Sequence, residues 1–141
     1  MMKKVLALTL VAVMALFVLA ACSSNEGTQS SGDTSSETIT YKDGTYKGQS
    51  SKNEHGQYGD IEITIKDGKI TDVKYKEIME DGSEKTLEND NNYKEAIDAI
   101  KALPQKLIEV QDPDKVDTIS KATGTTDMFK EAAKNALEQA K

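Results

Sequence analysis

Cysteine occurs once in this 141-residue chain, histidine once, proline twice and tryptophan not at all. One cysteine cannot close a disulfide within the chain. One histidine, His55, cannot make a zinc site without other strong ligands; it reads as a loop residue. No glycine-rich dinucleotide fingerprint is present, which argues against a nicotinamide-binding enzyme. The acidic pairs, Glu80-Asp81 and Asp112 with Asp114, have neither EF-hand spacing nor a glycosidase context. They read as solvated turns. Basic residues are the minority, 18 against 24 acidic ones, and an acidic domain is a poor candidate for binding nucleic acid. No internal repeat is visible.

What is present begins with Lys3 and Lys4, followed by an apolar run from Val5 to Ala21 that only Thr9 interrupts. A charged start, an apolar stretch and small residues before a cut describe an export signal, residues 1–21. The competing reading, a membrane-spanning helix, needs about 20 apolar residues. This run is slightly short and stops at a small-small-Cys site. Leu19-Ala20-Ala21-Cys22 resembles a bacterial lipobox, in which the cysteine receives a diacylglyceryl group and becomes the mature N-terminus. Lipidation of Cys22 would use the only thiol, excluding thiolate metal sites and cysteine nucleophiles. Loss of Lys3 and Lys4 with the signal leaves 16 basic against 24 acidic side chains, a net charge of −8. That charge holds the domain off anionic head groups, so the lipid acts as a tether. The expected place is the outer face of the cytoplasmic membrane, or the outer membrane in a host with two. The apolar "ALFVLAA" (15–21) also has the character of a peptide pheromone, as nearly every lipoprotein signal does.

Residues 23 to 38, "SSNEGTQSSGDTSSET", contain no large apolar side chain. Such a stretch cannot bury enough surface to offset the entropy of ordering, so 22–40 reads as a lipidated cysteine and a flexible linker. Residues 41–141 remain for one domain. In "YKDGTYKGQSS" (41–51) a turn at Asp43-Gly44 precedes a first strand. Ile61, Ile63 and Ile65 alternate on one face of a second, and Asp67-Gly68 turns it into a third. A two-residue loop would pair Ile63 with Asp72 and Ile61 with Lys74, placing charge on the apolar face. A three-residue loop with left-handed Gly68 pairs Ile63 with Thr71 and Ile61 with Val73, with Tyr75 following. That register is expected.

Residues 84–91 read as irregular. Tyr93, Ala96, Ile97 and Ile100 have helical spacing, and Asn92 with Glu95 forms a capping box. Pro104 predicts a break near Leu103, with Leu107, Ile108 and Val110 on a second piece. A last helix is expected from about Met128 to Ala140, capped by Thr126 or Asp127. The sum is an α+β domain: a small antiparallel sheet with helices packed on one face.

"DTISKATGTTDMF" (117–129) holds five hydroxyl side chains just before that helix, where a cap needs one. Unpaired amides and the helix dipole make such an end a ready phosphate site. Gly124 lets the backbone approach a ligand, and Lys121 adds a full charge. Simple capping and turn chemistry is the other reading of the same residues.

The stretch "VDTISKATGTTDMF" is similar to the signature of the FMN-binding domain family. This domain occurs in the C subunit of the sodium-pumping NADH:quinone reductase, the G subunit of the Rnf complex, and small flavin lipoproteins. The pattern is Asp, two residues, Ser or Thr, usually Gly, Ala, then Thr; Asp117, Ser120, Ala122 and Thr123 match it. "YKDGTYKG", "HGQYGDIEITIKDGKI" and "NNYKEAIDAI" extend the likeness over nearly all of 41–141. The resemblance implies FMN joined by a phosphoester to Thr123 by a separate FMN transferase. Lys121, Gly124, Thr125 and Thr126 then lie beside the cofactor, with His55 a further candidate. Tyr46, Tyr58, Tyr75 and Tyr93 are candidates to stack on its ring, although periodicity puts Tyr75 and Tyr93 in the core. The implied role is a lipid-anchored electron carrier, not an enzyme, working between a membrane quinone-linked oxidoreductase and another redox partner. The alternative is a lipoprotein that binds FMN or another small ligand non-covalently. One residue departs from the pattern. Lys121 stands where the family usually has glycine, and a left-handed backbone there would strain it.

Overall fold

The computed structural model describes residues 40–90 and 93–141. The signal, Cys22, nearly all of the linker and Asn92 lie outside the described residues. Strands β1 (Gly44–Gln49), β2 (Tyr58–Lys66) and β3 (Lys69–Ile78) form an antiparallel sheet in the order β1-β2-β3. Helix α1 (Lys94–Val110) packs on β3, and α2 (Thr123–Leu137) packs on β1 and β2. Short 3-10 turns follow at Pro113–Lys115 and Glu138–Ala140. The fold is α+β, as the order of patterns predicts.

The alternation of the second strand places Ile61, Ile63 and Ile65 in the core, against Leu103 and Leu107 of α1 and Phe129, Ala132 and Ala136 of α2. Val73 and Tyr75 share that face. Tyr75 meets Phe129 edge-on, with ring centres 4.9 Å apart and planes at 83°.

The register corrects the expected three-residue loop. Lys66 pairs with Lys69, and both turn residues have positive φ, Asp67 at 53° and Gly68 at 72°. Such a two-residue turn matches the twist of its strands. The faces are rescued one step later: Ile65 pairs with Ile70 but Thr64 with Asp72, so Thr71 is an extra residue. This bulge brings Val73 opposite Ile63 and Tyr75 opposite Ile61.

Four further expectations are corrected. Helix α1 runs unbroken through Pro104. An interior proline costs about 3 kcal/mol, but Leu103 and Leu107 flank it and are both fully buried. Two such burials are worth about 3–6 kcal/mol, enough to hold the helical path. Tyr93 is 60 % exposed, because it is the N-cap, with no side-chain cap bond, and helical spacing does not govern it. Helix α2 starts at Thr123, not near Met128, with Ala122 as its N-cap. Thr126 is therefore inside the first turn. Its buried hydroxyl donates to the Ala122 carbonyl (2.9 Å) and accepts the Ile119 N–H (3.2 Å). Val110, expected on the apolar face, is exposed.

The helices also attend to the sheet edges. Asn135 Nδ2 and Gln139 Nε2 donate to the β1 carbonyls of Gln49 (2.8 Å) and Lys47 (2.7 Å). Gln111, left-handed at the end of α1, bonds both backbone groups of Ile70, each at 2.8 Å. Among the described residues no helix is long and apolar enough to cross a membrane.

Candidate functional site

A cavity of about 730 Å³ opens at one end of the domain. Its size is that of a small-molecule cleft, about 300–1,000 Å³. Four segments wall it: the 53–57 loop, the 79–90 loop, the start of α1, and residues 121–128. Three of them are fixed by local hydrogen bonds. Asn53 Oδ1 accepts the N–H groups of His55 (2.9 Å) and Gln57 (3.0 Å), which folds the first loop. In the second, Met79 and Ser83 close the acidic turn, and the Lys85 N–H donates to the Glu77 carbonyl (2.8 Å). That bond carries Lys85 back over the end of β3. The Ala122 N–H donates to the Ile119 carbonyl (3.0 Å), forming the turn that delivers Thr123 to the helix.

Lys121, Ala122, Thr123, Gly124, Thr125 and His55 all line the cavity. Asp117, Ser120 and Thr126 are not in its lining. Asp117 and Ser120 are exposed, and Thr126 is fully buried, where it braces the turn. Thr123 is exposed at the first position of α2. The first bond of the helix is from the Thr126 N–H to the Ala122 carbonyl (2.9 Å). The amides of Thr123, Gly124 and Thr125 thus have no partner within the helix. A side-chain carbon added at Gly124 would meet no atom beyond its own turn within 4 Å, so Gly124 faces open space on the cavity lining. Tyr93, Met79, Ala96 and Met128 give the cavity apolar surface. Of the four tyrosines, only Tyr93 lines it.

The lysine in the signature does adopt a left-handed backbone, with φ 62°. It occupies the third position of the Ile119–Ala122 turn, where positive φ favours glycine. Its ammonium is 3.8 Å from Glu95 Oε1 and mostly solvated. Lys121→Gly is expected to change stability by no more than about 1 kcal/mol in either direction, as relief of strain offsets the entropy of glycine. Urea unfolding checks this. The same substitution tests whether the lysine hinders covalent FMN incorporation.

Sequence reasoning passed over Lys85, Gln57, Met79, Asp90 and Met128, which also line the cavity. Lys85 lies in the stretch read as irregular, and a polar loop has no periodicity to mark an inward side chain. Among the described residues no group of three or more His, Cys, Asp or Glu could hold a metal ion.

The residues suit FMN on structural grounds. Unpaired amides and a lysine at a helix N-terminus suit a phosphate, and thioether, tyrosine and alanine surfaces suit a flat aromatic ring. Residues 55–138 match the family model described as FMN-binding domain. The chain is similar to a crystal structure of a protein from Clostridium perfringens, with 30% identity and a TM-score of 0.61. That match covers 71% of this chain and 88% of the other. A solution NMR structure of a Clostridium thermocellum protein is also 30% identical, covering 70% and 91%, with a TM-score of 0.49. No curated protein matches significantly. The chain belongs to the FMN-binding domain family, and FMN is its cofactor.

Proposed function

We propose that this chain is a lipid-anchored, extracytoplasmic electron carrier whose FMN is joined by a phosphoester to Thr123. The observation that carries this reading is the position of Thr123. Its side chain is solvent-exposed at the first position of α2, on the lining of the cavity, next to free amides. A hydroxyl there can be joined to a phosphate while the helix end neutralises the phosphate charge. Lys121 adds a second positive charge beside it. Met79, Met128 and Tyr93 provide apolar surfaces against which a ring can rest. FMN supplies the electron chemistry, and the protein supplies position and electrostatics.

A covalent link suits a protein outside the cell, where a dissociated cofactor would be lost. Attachment is assigned to a separate FMN transferase. Cys22 is the lipidation site, and the linker of 22–40 would let one domain visit both a membrane quinone-linked donor and an acceptor. The second reading, non-covalent FMN, is favoured by one observation: Lys121 is left-handed at a position where the family usually has glycine.

Intact mass separates the two. Co-expressed with an FMN transferase, the mature protein is expected to gain the mass of one FMN less one water. Thr123→Ala is expected to lose all of that gain while remaining folded, since the side chain is exposed. Flavin that separates from the wild-type chain on denaturation would sink the covalent reading.

A further inference from the structure

A lysine is almost never buried unless paired. Lys85 is only 9 % exposed, yet it lines the cavity. Its Nζ lies 3.2 Å from Glu77 Oε2, 3.7 Å from Asp90 Oδ2 and 3.4 Å from Gln57 Oε1. It also sits 5.4 Å from the centre of the Tyr93 ring. Glu77 is fully buried on the core face of β3. Its Oε1 accepts a bond from the Tyr75 hydroxyl (3.4 Å), while Oε2, close to the ammonium, has no aligned hydrogen-bond partner. As a stabilising device this is a poor arrangement: packed apolar residues of like volume do as well or better. What it achieves is to hold a positive charge in the wall of a binding cavity, with its main counter-charge behind it.

We propose that Lys85 is the charge that sets the reduction potential of FMN in this cavity, and that Glu77 positions and partly neutralises it. This rests on the reading that the bound FMN carries electrons. In a reductive titration, dithionite is oxidised to sulfite and gives two electrons, and one proton comes from water. The ring thereby gains one net negative charge. Away from bulk water, a nearby ammonium favours that added charge and a carboxylate opposes it.

The sign of the effect is the test. The potential of the FMN-loaded full chain is measured by dithionite titration against a reference dye. Lys85→Met is expected to lower the ratio of reduced to oxidised FMN at least tenfold at the wild-type midpoint. That is about 30 mV for a two-electron couple. Glu77→Gln is expected to raise it. The double variant removes both charges and should fall between the two, which gives a reading even if one single variant does not fold. A merely structural role would not move the two variants in opposite directions. Shifts of the same sign, or potentials all equal to wild type, would overturn the assignment while leaving electron transfer intact. A wild type that holds FMN but cannot be reduced and reoxidised would overturn the electron-carrier reading, and Lys85's role with it.

Discussion

Gly48→Ala is expected to destabilise the domain by about 3 kcal/mol, the upper end of the usual cost of overpacking. The new methyl carbon would lie 2.2 Å from the Ala132 carbonyl oxygen and 2.6 Å from the Ala136 nitrogen. Both are backbone atoms of α2, so no side chain can swing aside. The helix must lift off β1, and the lift propagates to Phe129, Ala133 and Leu137, all in the core. Urea unfolding gives the measurement, with Gly124→Ala as a control. An added carbon there meets no atom beyond its own turn, and within a helix alanine is favoured over glycine by about 1 kcal/mol. Equal midpoints for the two variants would show that α2 does not rest on β1 as closely as described.

Lys85→Met is expected to cost about 3–5 kcal/mol, the usual result of leaving one half of a buried ion pair without its partner. Glu77 would then retain only the Tyr75 hydroxyl at 3.4 Å. That hydroxyl stays protonated, since burial first, and then the Glu77 charge, push its pKa well up. Adding Glu77→Gln should restore most of the loss, because the double variant no longer leaves the fully buried carboxylate unpaired; Asp90, the other partner at 3.7 Å, is less deeply buried. Chemical denaturation of the FMN-free proteins measures both steps. A double variant no more stable than Lys85→Met would mean that packing of the lysine stem, not its charge, is what the loop requires.

Ile61, Ile63, Ile65, Val73 and Tyr75 were legible as one apolar face, since period-two alternation survives any correct register. The register itself was not. A tight turn and a bulge at Thr71 shift the pairing in two steps, and pattern alone favoured one longer loop. Pro104 signalled a break because its own penalty is local, while the burial of Leu103 and Leu107 that overrides it is tertiary. The start of α2 was misplaced for a similar reason. Threonine and glycine read as loop residues, but Thr125 and Thr126 are buried within the first turn. In the site, Thr123 and Lys121 were legible through the signature. Lys85 was not, because only the folding of the 79–90 loop turns it inward.

The amides of Gln111, Asn135 and Gln139 bear on how this protein behaves in company. A three-stranded sheet has two open borders, and each is a template on which another molecule can add a strand. Here the template is partly used up by side chains that imitate a neighbouring strand. An arriving chain would have to displace those bonds before making its own. Zipping of crowded molecules into a growing sheet is thereby opposed at these positions, without a fourth strand having to be encoded.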